Sequence, residues 1–194
     1  MKPYSEAAER NKQPILVVLQ QVFADRSMVL EIGSGTGQHA VFFALNLGHL
    51  TWYPTDRHNN LADLCERCTD SLVSNLAEPI SLDVDDEPWP DLTVDAVFTA
   101  NTLHIVSWQQ VCRLFAKVSG LLPDDGIFCT YGPFNIDGEF TSESNACFDD
   151  YLRSRDADSG IRDFKDLTEQ AKIHKLFLET DYYLPANNRL LVWR

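Results

Sequence analysis

The stretch Val29-Leu30-Glu31-Ile32-Gly33-Ser34-Gly35-Thr36-Gly37 constrains the fold of this chain more than any other. An apolar run carrying one acidic residue gives way to glycines at alternate positions. The segment Gln38-His39-Ala40-Val41-Phe42-Phe43-Ala44-Leu45 behind them reads as a helix. Strand, glycine turn and helix open a nucleotide-binding βαβ unit. Glycine tolerates positive φ and lets a ligand approach the backbone, and the first turn of the helix behind it offers unbonded N–H groups.

The spacing narrows the ligand. A dinucleotide turn, G-x-G-x-x-G, needs glycine where this chain has Gln38. A P-loop needs Lys followed by Ser or Thr after its last glycine, and a nucleophile elbow needs glycine where Ile32 stands. What remains is E-x-G-x-G-x-G. It resembles the first motif of class I S-adenosylmethionine-dependent methyltransferases. The resemblance implies that Glu31, Gly33, Ser34, Gly35, Thr36 and Gly37 hold S-adenosylmethionine as cofactor.

The rest of the chain alternates strand and helix. Ile15, Leu16, Leu19, Val22 and Phe23 recur at helical spacing, with Pro14 expected in the first turn of that leading helix. Strands are expected at 28–32, 50–55, 79–82, 94–99, 127–131, 177–183 and 190–194, and helices at 38–48, 61–76, 108–122, 143–155 and 164–175. Ser107 and Gln110 form a capping box before the third of these helices, and 132–142 reads as a polar loop. The expected fold is α/β: Rossmann-like, with a seven-stranded mostly parallel sheet, an antiparallel last strand and helices on both faces. One domain over 1–194 is expected, with 1–27 as its leading helical part and 132–163 as an insertion covering the substrate.

In such a sheet, ligands bind beyond the strand C-terminal ends. Asp56 follows the second strand, where a carboxylate that grips both hydroxyls of a ribose usually stands. Asp83 and Val84 follow the third; the methyltransferase resemblance implies that Asp83 accepts from the adenine amino group and Val84 lies near the ring. Asn101 follows the fourth, a segment that in this fold lies beside the methionine part of the cofactor, and His104 is a candidate general base. Arg10 and Asn11, placed at the start of the leading helix, are candidates for the methionine carboxylate, on which a guanidinium forks at two points. Tyr131 is a second catalytic candidate. Phe134, Asn145, Asp149, Arg153 and Asn187 mix aromatic, amide and charged groups, as the pocket of a small polar substrate would. Plainer readings stand beside these: Arg10 as a surface charge, His104 as a packing histidine, and Asp149 with Arg153 as an i,i+4 ion pair.

The formal net charge of −13, with no run of Lys or Arg, argues against a nucleic-acid partner. The polar first residues are unlike a signal peptide, and no apolar run is long enough to span a membrane; the expected location is cytoplasmic. Five scattered cysteines fit reduced thiols. Cys65 and Cys68 form a CxxC without a second half to complete a zinc site, so no metal is expected.

The resemblance extends nearly end to end to a family known as DUF938, described as methyltransferase-like. Ser5-Glu6-Ala7-Ala8-Glu9-Arg10-Asn11-Lys12, Gln38-His39-Ala40, Asn101 with His104-Ile105, Tyr131-Gly132-Pro133-Phe134, Gly160-Ile161-Arg162-Asp163 and Leu184-Pro185-Ala186-Asn187-Asn188 carry it. The family implies a fold and a cofactor but no substrate. The expected activity is methyl transfer to a small-molecule acceptor, with a protein acceptor as an option. The rivals are a non-catalytic S-adenosylmethionine-binding module that acts through a protein partner, and an NAD-dependent enzyme.

Overall fold

The computed structural model describes residues 3–194. They fall into two compact units, one running to Thr99 and the other from Ala100 to Arg194. Among them no helix is long and apolar enough to cross a membrane.

In the first unit, α1 (Glu6–Val22) is followed by β1 (Met28–Ile32), α2 (Gln38–Asn46), β2 (Thr51–Asp56), a 3-10 turn at His58–Asn60, α3 (Leu61–Ser71), β3 (Ile80–Ser81) and β4 (Ala96–Ala100). The strand order is β3-β2-β1-β4, and every neighbouring pair is parallel. Parallel pairing brings the strand C-terminal ends to one edge. The glycine turn after β1, Asp56 closing β2 and Asp83 just past β3 therefore line up along it. Val29, Leu30, Glu31 and Ile32 are all buried, which is why β1 reads as an apolar run and not as an alternation. Phe43 of α2 packs on this sheet, 5.6 Å from Trp52 and 5.5 Å from Phe98 between ring centroids.

Two elements of this unit differ from the sequence expectation. Helix α1 begins at Glu6, capped by Ser5 Oγ accepting from Ala8 N–H at 3.2 Å, so Pro14 lies inside the helix and not in its first turn, and Arg10 and Asn11 lie a turn beyond its start. The apolar stripe begins only at Ile15 because the first turns are polar and held by side-chain bonds. Helix α3 stops at Ser71, where Leu72 turns left-handed at φ 54°. Asn75 beyond it donates to the carbonyls of Ala44, Leu47 and Leu50 at 2.9, 3.3 and 2.7 Å. The chain leaves the helix to close the end of α2.

The second unit holds α4 (Trp108–Leu121), β5 (Ile127–Asn135), α5 (Glu143–Arg155), β6 (Arg162–Asp163), α6 (Phe164–Ile173), β7 (Leu178–Leu184) and β8 (Asn188–Trp193). Strand β8 lies between β5 and β7, antiparallel to both, as a terminal hairpin requires. The two-residue β6, the strand beyond the expected seven, pairs with the end of β5 through Phe134↔Arg162 and Asn135↔Asp163. That pairing and the β8 partners extend β5 through Gly132 and Pro133 to Asn135, a stretch the sequence suggests is loop. Phe115 anchors this core, 5.3 Å from Phe128 and 5.6 Å from Trp193.

Candidate functional site

Gly33, Gly35 and Gly37 all take left-handed backbone, at φ 75°, 54° and 73°. The turn is stitched to the end of β2. Ser34 N–H donates to Thr55 O at 2.8 Å, Thr55 N–H donates to Ser34 Oγ at 3.1 Å, and Gly35 N–H donates to Asp56 Oδ2 at 2.5 Å. A Cβ on Gly37 would meet Leu64 Cδ1 at 2.8 Å, whereas one on Gly35 would meet nothing within 4 Å. Gly37 is thus glycine for packing, and Gly35 presents open backbone.

Asp56 is buried, and its other oxygen accepts from Arg57 N–H at 2.8 Å and Asn60 Nδ2 at 2.7 Å. A carboxylate has about four acceptor positions, so three internal donors fix its orientation and leave room for a hydroxyl. Glu31 lies beneath the turn. Its Oε2 accepts from Trp52 Nε1 at 2.9 Å, and burial raises its carboxyl to about 7 against the hydrogen bonds from Trp52 and Ser34. Thr36 Oγ1 donates to Gln38 Oε1 at 3.0 Å. Past β3, Asp83 Oδ1 accepts from Asp85 N–H at 3.0 Å, and Val84 is buried.

Pro3 and Ser5 are tied to the helices on either side of β2. Gln38 Oε1 accepts from Ser5 N–H at 2.6 Å, and Arg67 donates to Pro3 O at 2.5 Å. His39 Nε2 donates to Asn11 Oδ1 at 2.7 Å; burial drives its imidazole down to about 4. Asn11 is therefore tied to α2. Arg10 points elsewhere: its side chain is 72% exposed and pairs with Glu6 at 3.2 Å, the ordinary i,i+4 helix pair.

In the second unit, Asn101 is left-handed at φ 58°, and its N–H donates to Tyr131 O at 2.8 Å. His104, Tyr131 and Phe134 are buried. The His104 ring stands edge-on to Phe148 at 5.2 Å, and burial, with the Arg162 charge second, lowers its imidazole to about 4. Asn145 is buried, with Nδ2 donating to Thr141 Oγ1 at 3.0 Å. Asp149 is engaged twice: Oδ2 accepts from Arg153 Nε and Oδ1 from Ile161 N–H, each at 2.6 Å. Asn187 is exposed in the β7–β8 turn, with φ 55°.

Sequence reasoning gave no role to two residues that organise these segments. Gln38, which it used only to exclude a dinucleotide turn, fastens the start of α1. Arg162 donates to the carbonyls of Leu103 at 2.9 Å, Asp158 at 2.8 Å and Val106. With Gly160 N–H on His104 O at 2.9 Å and Ser159 Oγ on Ile105 O at 2.6 Å, it clamps 103–106 against 158–162. Only the Gly160–Asp163 match to the family hinted at this.

A parallel β3-β2-β1-β4 layer, with a glycine turn after β1 and a carboxylate closing β2, is the core of a Rossmann-like class I methyltransferase fold. Solved structures bear this out. An O-methyltransferase family protein from Burkholderia thailandensis matches with TM-score 0.84 at 16% identity, over 97% of this chain and 57% of that one. Human N-acetylserotonin methyltransferase in complex with SAM matches at 0.82 and 12%, over 97% and 52%. The mitomycin 7-O-methyltransferase MmcR matches at 0.77 and 18%, over 97% and 57%. At these identities the likeness is one of fold, and this chain spans little more than half the length of those proteins. The chain belongs to the family described as "Protein of unknown function (DUF938)", which matches residues 2–194.

Proposed function

We propose that this protein is an S-adenosylmethionine-dependent methyltransferase with a small-molecule acceptor. The observation that carries the reading is the Gly35–Asp56 pair. Open, left-handed backbone lies beside a buried carboxylate that retains an acceptor position. A ribose diol with its attached chain fits that chemistry, and so the residues present fit the cofactor.

Gly33, Ser34, Gly35, Thr36 and Gly37 would line the cofactor's amino-acid and ribose portions, Asp56 would accept from the ribose, and Asp83 with Val84 would receive the adenine. Glu31 supports the turn from below, and Asn11 contributes through His39. Arg10 is the weakest member of the set, given its pairing with Glu6. The bound cofactor supplies a methyl group on a sulfonium, already activated for transfer. The residues of the chain then have to orient the acceptor and keep water out, and a base is needed only where the acceptor holds its proton tightly. Asn101 would join the cofactor set beside its methionine part, and His104, Tyr131, Phe134, Asn145, Asp149, Arg153 and Asn187 are the candidates for acceptor handling.

Incubation with S-adenosylmethionine labelled in the methyl group and a panel of small acceptors tests the reading. Label in a small product, abolished by Gly35→Val, is the expected result. Tight cofactor binding with no transfer to any acceptor would point instead to a binding module acting through a partner.

A further inference from the structure

Asn60 stands at the N-cap of α3, where an asparagine side chain ordinarily accepts from backbone N–H groups of the first helical turn. It makes no such bond. Its Nδ2 donates instead to Asp56 Oδ1 at 2.7 Å. Asn60 is exposed, so burial does not force that arrangement. Its own N–H donates to Arg57 O at 2.9 Å, within the turn that brings the residue back to the end of β2. A surface residue thus forgoes a stabilising cap in order to hold a buried carboxylate.

The hold limits what Asp56 can still accept. Oδ1 takes both Asn60 Nδ2 and Arg57 N–H, the latter at 2.8 Å, so both of its lone pairs are used. Among the described residues, Oδ2 accepts only from Gly35 N–H, at 2.5 Å. One acceptor position is left, on the oxygen that also holds the open backbone of Gly35. A ribose diol brings two donors.

We infer that Asn60 determines specificity at this site: by occupying Asp56 Oδ1, it restricts the carboxylate to one of the two ribose hydroxyls, received on Oδ2. The inference rests on the reading of this site as one for S-adenosylmethionine. Displacement of Asn60 by the second hydroxyl would exchange one hydrogen bond to the carboxylate for another, with little net gain. Of the three donors on Asp56, Asn60 Nδ2 is the one supplied by a side chain, and so the one a substitution can remove. The ligand class that follows is an adenosine derivative in which one ribose hydroxyl is required and the other is dispensable.

Calorimetric titration with S-adenosylhomocysteine and with its 2′-deoxy and 3′-deoxy analogues tests this. In the unsubstituted protein, one analogue is expected to bind about tenfold or more weakly than the full compound, and the other within about threefold of it. Asn60→Ala frees Oδ1 for the second hydroxyl, and both analogues are then expected to bind at least about fivefold more weakly than the full compound. These ratios separate the role from a general loss of structure, which would weaken all three ligands alike. In Asp56→Ala the contrast between the analogues is expected to vanish, and adding Asn60→Ala is expected not to restore it. Equal losses from the two analogues in the unsubstituted protein, loss from neither, an unchanged contrast in Asn60→Ala, or a contrast that persists without Asp56 would each overturn the inference while leaving the cofactor reading in place. Failure of S-adenosylhomocysteine to bind at all would overturn the cofactor reading and this inference with it.

Discussion

Gln38 and Ser5 hold one another at two points: Gln38 Oε1 accepts the Ser5 N–H at 2.6 Å, and Gln38 Nε2 donates to the Ser5 carbonyl at 3.3 Å. The same Nε2 reaches Glu9 Oε2 at 3.2 Å. Gln38 is buried at the start of α2, so the first residue behind the glycine turn also fixes the start of α1. Gln38→Ala should cost about 1–3 kcal/mol in denaturant unfolding, the usual cost of leaving buried backbone groups unpaired. Gln38→Glu should be no better at neutral pH, because it sets a carboxylate against Glu9, and should recover on acidification.

Gly35 and Gly37 look equivalent in the sequence and are not. Gly37→Ala forces a Cβ to 2.8 Å from Leu64 in left-handed backbone, and should lower the melting temperature clearly. Gly35→Val adds backbone strain of about 1–3 kcal/mol without a clash. It should leave a folded protein that no longer binds S-adenosylmethionine.

Asp149 and Arg153 make one ion pair with unequal consequences. Asp149 has a side chain 6% exposed and also holds the Ile161 N–H, whereas the Arg153 side chain is 50% exposed. Asp149→Ala should cost about 1–3 kcal/mol, and Arg153→Ala about 1 kcal/mol or less. Equal losses in a chemical denaturation series would contradict this geometry.

Stability should depend on pH with a sign set by three buried groups. Glu31 is raised to about 7 from 4.5, so its contribution is full below pH 4.5 and is lost as pH rises through 7. His39 and His104 are lowered to about 4 from 6.5, so theirs is full above pH 6.5 and is lost as pH falls through 4. Between these limits, unfolding takes up two protons at the histidines and releases one from Glu31. Stability should therefore climb from pH 4.5 to 6.5 with a slope of about one proton. Glu31→Gln should steepen that climb, which a series of thermal melts across the range would reveal.

The local pattern was readable where residues contiguous in sequence act together. Val29–Gly37 announces its strand and turn, Ser107 and Gln110 form the capping box their spacing implies, and the hairpin of β7 and β8 follows from its turn residues. What stayed hidden depends on partners far along the chain. Gly132 and Pro133 look like loop formers until β8 pairs with them. The Arg162 clamp joins residues more than fifty positions apart and leaves no periodic trace. The residues after the strands were identifiable as candidates by position, but whether a side chain such as Arg10 or Asp149 is already paired is decided by packing.

Calorimetric titration of the purified protein with S-adenosylmethionine, and separately with NAD, bears most directly on the central claim when run beside Gly35→Val and Asp56→Ala. The account predicts binding of S-adenosylmethionine and not of NAD, its loss in Gly35→Val, and a weakening of about 1–3 kcal/mol in Asp56→Ala. Binding of NAD in its place, or S-adenosylmethionine binding that neither substitution disturbs, would contradict it.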